Sequence, residues 1–152
     1  MVIAADTSFL FSLYGNDSKT PDAVKWSSEN TLEIIVTILN RFELINALRF
    51  AECWRFIPLG KSADFAADFE LDLRDGRLVE RSCSLSEIMA EAFRLSQAHK
   101  LTSSQAHKLT GGHRGFDILH VAAAKVTGAT HFLTFDVNQK KLAERVGLVV
   151  PL

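Results

Sequence analysis

The chain has 152 residues, of which 47% are apolar and 23% charged, with a net charge of −1; that describes one ordinary globular domain with room for a sizeable core. The charge balance excludes a global basic field, so any contact with nucleic acid must rest on a local patch. No apolar run reaches membrane length, and the opening MVIAADTSFLFSLYG lacks a basic leader and carries Asp6, so neither a span nor a signal peptide is expected and the expected location is cytoplasmic.

Residues 2–5 form a short apolar run ended by Asp6-Thr7-Ser8, three residue types that cap helices. A buried strand followed by a helix over residues 7–14 is expected. Gly15-Asn16-Asp17 breaks the chain, and Pro21 suits the first turn of a second helix reaching residue 28. Residues 32–36 are rich in β-branched side chains and read as the next strand. Thr37 can cap a long helix, ILNRFELINALRFAECW, with apolar residues at 38, 39, 42, 45, 48 and 50. A further helix is expected over 62–75; its acids Asp64, Asp68 and Asp72 recur every four residues and read as a solvated face. Residues 77–81 read as a strand, and a helix starts near Ser84. The helix begun at Phe116 ends at Gly128, residues 131–135 form a strand, Asp136 caps a helix to Val146, and 148–150 form a last short strand. Strands alternating with helices predict a parallel α/β sheet covered on both faces, with its site beyond the carboxyl ends of the strands. Cys53 and Cys83 have no metal-type spacing and read as free thiols packed in a core.

Residues 96–102 read SQAHKLT, and residues 104–110 read SQAHKLT again. Two copies are too few for a repeat architecture, so this is a tandem duplication inside one domain spanning 1–152. If helical, eight added residues lengthen the segment by about 12 Å and turn the outgoing chain by roughly 80°. The fold must extend a helix, loop out, or exchange the segment with another subunit.

Four acids stand where chemistry is expected. Asp6 and Asp136 sit at strand ends, where capping and metal binding are equally good readings. Asp117 lies in the first turn of an apolar helix, with Val121 and Ala124 on its face. Glu43 has Leu39, Ala47 and Phe50 as helical neighbours. A carboxylate there must be paired, protonated or bound to a cation, since an isolated buried charge is costly. Four carboxylates at one sheet end would repel one another unless a divalent cation offsets them. All-oxygen ligation selects Mg²⁺ or Mn²⁺ over zinc, and such an ion can activate water for attack on a phosphate.

The segments ADTSFLFSLY, NRFELINALR, RGFDILHVAAA and FLTFDVNQKKLAERVGL resemble, in order, the successive motifs of PIN domains, most closely those of VapC-type toxin ribonucleases. The resemblance implies a three-layer α/β/α fold with a five-stranded parallel sheet ordered 3-2-1-4-5. It implies a Mg²⁺ or Mn²⁺ site at Asp6, Glu43, Asp117 and Asp136, supported by Thr7 and Thr134. It also implies an RNA substrate, an inhibitory antitoxin whose tail enters the active-site groove, and a homodimer; the duplication adds a route by which the 96–110 segment can exchange between its subunits.

His120, one turn after Asp117, can donate to the site, and His113 can face phosphate at low pH; the five histidines lack zinc-ligand spacing. Arg41, Arg49, Arg114, Lys140 and Lys141 flank the acidic motifs and are the candidate RNA grips, with solvated surface charge as the plainer reading of each. The expected function is a metal-dependent endoribonuclease acting on single-stranded or looped RNA and leaving 5′-phosphate and 3′-hydroxyl ends. Two rivals remain. One is a PIN-fold binding module without catalysis. The other is a phosphatase-type domain, which wants a second Asp where Ser8 stands.

Overall fold

The computed structural model describes residues 1–98 and 115–152. Four three-residue strands, β1 (Ile3–Ala5), β2 (Ile34–Val36), β3 (Leu78–Glu80) and β4 (His131–Leu133), form a parallel sheet in the order β3-β2-β1-β4. β1 and β2 are apolar and buried throughout, as parallel strands covered on both faces require.

Alternation along the strands builds two cores. Ile3, Ala5, Ile34, Val36 and Leu133 face one layer, where they meet Phe9 and Leu10 of helix α1 (Thr7–Tyr14), Ala23 of α2 (Thr20–Glu29), Leu44 and Leu48 of α3 (Ile38–Cys53) and Phe69 of α4 (Lys61–Arg74). Ala4, Ile35 and Phe132 face the other layer. There they meet Ile88 and Leu95 of α5 (Leu85–Ala98), Val121 to Ala124 of α6 (Gly115–Val126), and Leu142 and Ala143 of α7 (Val137–Arg145). Successive side chains point to opposite faces of a strand, so a three-residue strand feeds both layers. Among the described residues no helix is long and apolar enough to cross a membrane.

The chain builds outward from β1 through β2 to β3, then returns to lay β4 on the other side of β1. The carboxyl ends of β1 and β4 therefore flank the point where strand order reverses, the usual place for a site in an open parallel sheet.

Two expectations are corrected. The fifth strand over 148–150 is reduced to one parallel bridge, Val149 to His131. Val149 N–H donates to Thr130 O at 3.0 Å and Val149 O accepts from Phe132 N–H at 2.9 Å. Gly147, at φ +87°, turns the chain immediately before this point, and Pro151 has no N–H to extend the ladder. On α3, the apolar residues Ile38, Phe42 and Phe50 are exposed, whereas the buried positions are Asn40, Leu44, Leu48 and Ala51. The buried stripe of that helix thus begins with an asparagine. The duplicated segment lies outside the described residues from position 99 to 110, as do His113 and Arg114.

Candidate functional site

Asp6 follows β1 directly and caps α1. Its Oδ1 accepts from Phe9 N–H at 2.9 Å and from the Ser8 hydroxyl at 2.8 Å, and its Oδ2 accepts from the Thr134 hydroxyl at 2.8 Å. Ser8 Oγ in turn accepts from Phe135 N–H at 2.9 Å, which commits its own proton to Asp6 and ties the two strand ends together. Asp6 is only 2% exposed. Burial pushes its carboxyl from 3.8 up to about 6, despite the opposing hydrogen bonds from Phe9, Thr134 and Ser8.

Asp136 caps α7, its Oδ1 accepting from Asn138 N–H and Gln139 N–H, both at 2.8 Å. Its own N–H donates to Thr134 Oγ1 at 3.0 Å, so one hydroxyl is bonded at once to Asp6 and to the Asp136 backbone. Asp117 enters from the first turn of α6. The buried Gln139 amide donates to Asp117 O at 3.2 Å and fixes α6 against α7 at this point.

Glu43 comes from the middle of α3. Its Oε2 accepts from the Thr7 hydroxyl and lies 2.6 Å from His120 Nε2. The protonation pattern here follows from the backbone. Thr37 N–H donates to Asn40 Oδ1 at 2.8 Å, which fixes the amide orientation. Asn40 Nδ2 then donates to Ala5 O at 3.0 Å and faces His120 Nδ1 at 3.3 Å. Nδ1 must accept, so Nε2 carries the proton and donates to Glu43. A buried relay from Thr37 through Asn40 and His120 thereby orients Glu43 as an acceptor.

Asp6, Glu43, Asp117 and Asp136 all line one open cleft of about 410 Å³ at the carboxyl end of the sheet, together with Thr7, Ser8 and His120. The structure thus brings together all four predicted acids and His120; Thr134 lies directly beneath, bonded to Asp6. The side-chain chemistry suits a hard divalent cation, and a buried acid whose ionisation is opposed by burial is where such a charge helps. Among the described residues, however, no three acid, imidazole or thiol groups stand close enough to grip one ion together. The arrangement fits an ion that keeps several waters and takes one or two direct carboxylates, as Mg²⁺ commonly does, and not an all-protein cage.

The predicted RNA grips fare differently. Arg41 lies two residues from Glu43, about 200° around the helix, and faces Glu80 (2.7 Å) and Glu70 (3.4 Å) instead. Its Nε–H is not directed at the Glu80 oxygen, so the contact is ionic and not a hydrogen bond. Lys140 is held by Leu152 O. Arg49 and Lys141 are exposed, and neither lines the cleft. The Lys or Arg that does line it, among the described residues, is Lys19, thirteen positions from Asp6 and invisible as a motif. Asn40, Ser8 and Gln139 also escape sequence reasoning. The signal for Asn40 was its place four and eight residues before Leu44 and Leu48, on an otherwise apolar stripe of α3.

A second hollow, of about 280 Å³, lies at the opposite end of the sheet among Tyr14, Asn30, Asp72 and Arg77. There the Tyr14 hydroxyl donates to Asp72 at 2.7 Å and Arg77 donates to the same carboxylate at 3.1 Å. These groups satisfy one another and give Asp72, the last of the three acids spaced by four on α4, a structural partner without a ligand.

The PIN domain family model matches residues 3–145. No curated protein matches the chain. Among solved structures, the chain is similar to VapC20 of Mycobacterium tuberculosis, a sarcin-ricin loop cleaving toxin. The identity is 17% and the TM-score 0.65, with 97% of this chain and 96% of that one covered. At that identity the likeness bears on the fold alone.

Proposed function

Because the chain belongs to the PIN domain family, we propose that it is a metal-dependent endoribonuclease. The observation that carries this reading is the convergence of Asp6, Glu43, Asp117 and Asp136 on one cleft at the β1/β4 reversal point. In the proposed reaction water attacks phosphorus in line, the P–O3′ bond breaks, and the products carry 5′-phosphate and 3′-hydroxyl ends. A Mg²⁺ or Mn²⁺ ion held by these carboxylates, directly or through water, would acidify water and offset the charge that builds on the phosphate.

The chain's own residues supply orientation. Thr134 and Ser8 hold the Asp6 carboxylate, and the first turn of α7 holds that of Asp136. Thr7 and His120 aim Glu43. One of the four carboxylates takes the proton from water, and the departing O3′ is protonated from solvent. The phosphatase-type alternative draws no support from the sequence, since Ser8 and not an acid stands at the position it needs.

A toxin role against cytoplasmic RNA, with an antitoxin partner, is supported by the motif resemblance and by the fold shared with a known toxin. A homodimer is supported by the exposed Ile38, Phe42 and Phe50 of α3 and Trp54 just after it, apolar surface of the kind that a second copy would cover. Purified protein should cut single-stranded or looped RNA with Mg²⁺ or Mn²⁺ and stop with chelator, leaving ends that ligate only as 5′-phosphate and 3′-hydroxyl. Cleavage that persists in chelator and in both Asp6→Asn and Asp117→Asn would overturn the mechanism.

A further inference from the structure

The acid-lined cleft does not end at its carboxylates. Past Phe135 and Lys19, which line both spaces, it opens into a hollow of about 320 Å³ that is also bounded by Lys25 and Trp26. We propose that this hollow takes one nucleotide of the single-stranded substrate beside the scissile phosphate, with its phosphate on Lys19 and its base against Phe135 and Trp26. The proposal rests on the nuclease reading and names the route of the strand.

Charge is the first argument. A polyanion entering a cleft with four carboxylates and Asp17 needs a cation at the entrance, and among the described residues lining the cleft Lys19 is the one Lys or Arg. Its present partner is weakly held. Nζ lies 3.5 Å from Asp22 Oδ2, with both side chains more than half exposed, a pair easily exchanged for phosphate. Nζ also stands 5.7 Å from the Phe135 ring centroid, on the seam between the two spaces.

Rigidity is the second argument. Phe135 stacks on the fully buried Phe9 at 5.9 Å, and Trp26 meets the same ring edge-on at 5.7 Å. Both remain partly exposed. Aromatic rings fixed from behind and partly exposed in front are the usual platforms for unpaired bases, and the exposed Lys19 amine that stands over Phe135 would move to the phosphate as the base takes its place. Phe135 lies between Thr134 and Asp136 in the chain, so a base on it is adjacent to two groups of the site. The rim limits the grip to one phosphate. Lys25 is 4.0 Å from Glu29, and Asp22 and Glu29 disfavour a second phosphate.

The test uses the full chain and a labelled single-stranded oligoribonucleotide. In a Trp54→Phe background Trp26 is the remaining tryptophan, and its emission should be quenched on binding. Lys19→Ala should weaken binding about 5- to 10-fold at low salt and reduce the slope of log Kd against log salt by about 0.7, the value for one phosphate contact on a single strand. In cleavage, Lys19→Ala should raise KM with kcat within about 2-fold, the pattern of lost uniform binding. A merely structural lysine would leave the salt slope unchanged. Unchanged slope and unquenched Trp26 overturn the assignment even if RNA is cut. Quenching and the slope change in a protein that cuts no RNA would sustain the hollow and sink the nuclease reading.

Discussion

Replacing Asp6 with asparagine should stabilise the metal-free protein while abolishing its activity. The rise of the Asp6 carboxyl from 3.8 to about 6 corresponds to about 3 kcal/mol of penalty on the ionised form, at 1.36 kcal/mol per pH unit. Because the folded value lies above the unfolded one, the penalty is absent below pH 3.8, grows as pH rises, and is complete above about pH 6. Asparagine removes the charge and keeps an acceptor for Phe9 N–H and Ser8. Its amide NH₂ would face Thr134, whose hydroxyl can turn its proton to Gln139 Oε1, 3.3 Å away. Weakened hydrogen bonds return about 1 kcal/mol or more, leaving a net gain of about 1–2 kcal/mol at pH 8. That is a Tm increase of about 2–8 °C for a chain of this size. Urea unfolding in chelator at pH 8 and pH 4 measures it directly, and the gain should vanish at the lower pH. Mn²⁺ should then raise the Tm of the wild-type chain and leave that of the variant unchanged. A variant less stable than wild type at pH 8, or a difference independent of pH, would refute the reasoning.

Other substitutions separate roles within the same structure. Asn40→Asp replaces the amide donor facing His120 Nδ1 with an acceptor, so the imidazole should gain a proton there; ring ¹⁵N shifts of His120 report the change, and kcat should fall at least about tenfold because the added positive charge beside Glu43 opposes a cation in the cleft. Glu43→Gln and Asp117→Asn should each reduce RNA cleavage by about 10²-fold or more with little change in far-UV circular dichroism, measured in single-turnover assays. Tyr14→Phe removes the hydroxyl donor to Asp72 at the far end of the sheet; it should cost about 1–2 kcal/mol in urea unfolding and leave cleavage within about 2-fold.

The sequence carried the parts of this molecule that depend on local chemistry. The runs 2–5 and 131–135, ahead of Asp6 and Asp136, read as strands leading to helix caps; both acids do cap their helices, although β4 itself ends at Leu133. Glu43 on an apolar face implied a partner, and Thr7 and His120 supply it. What failed was inference from nearness along the chain. Arg41 is two residues from Glu43, yet helical geometry sends it to Glu70 and Glu80. Lys19 is far from every acidic motif in sequence and reaches the cleft because α2 folds back beside α1. The buried stripe of α3 was misread because its first member, Asn40, is polar and satisfied by contacts from β1 and α6 that no helical period records. The fifth strand was legible in its composition, but its pairing depends on Pro151 and the turn at Gly147.

The proposed reaction requires a cation to meet the four acids. Crystals of the full chain soaked in Mn²⁺ should show an anomalous peak in the cleft, bound directly by one or two of Asp6, Glu43, Asp117 and Asp136 and through water by others, and the peak should be lost in Asp6→Asn. A Mn²⁺-saturated crystal with no peak there, or with one on other residues only, would contradict it.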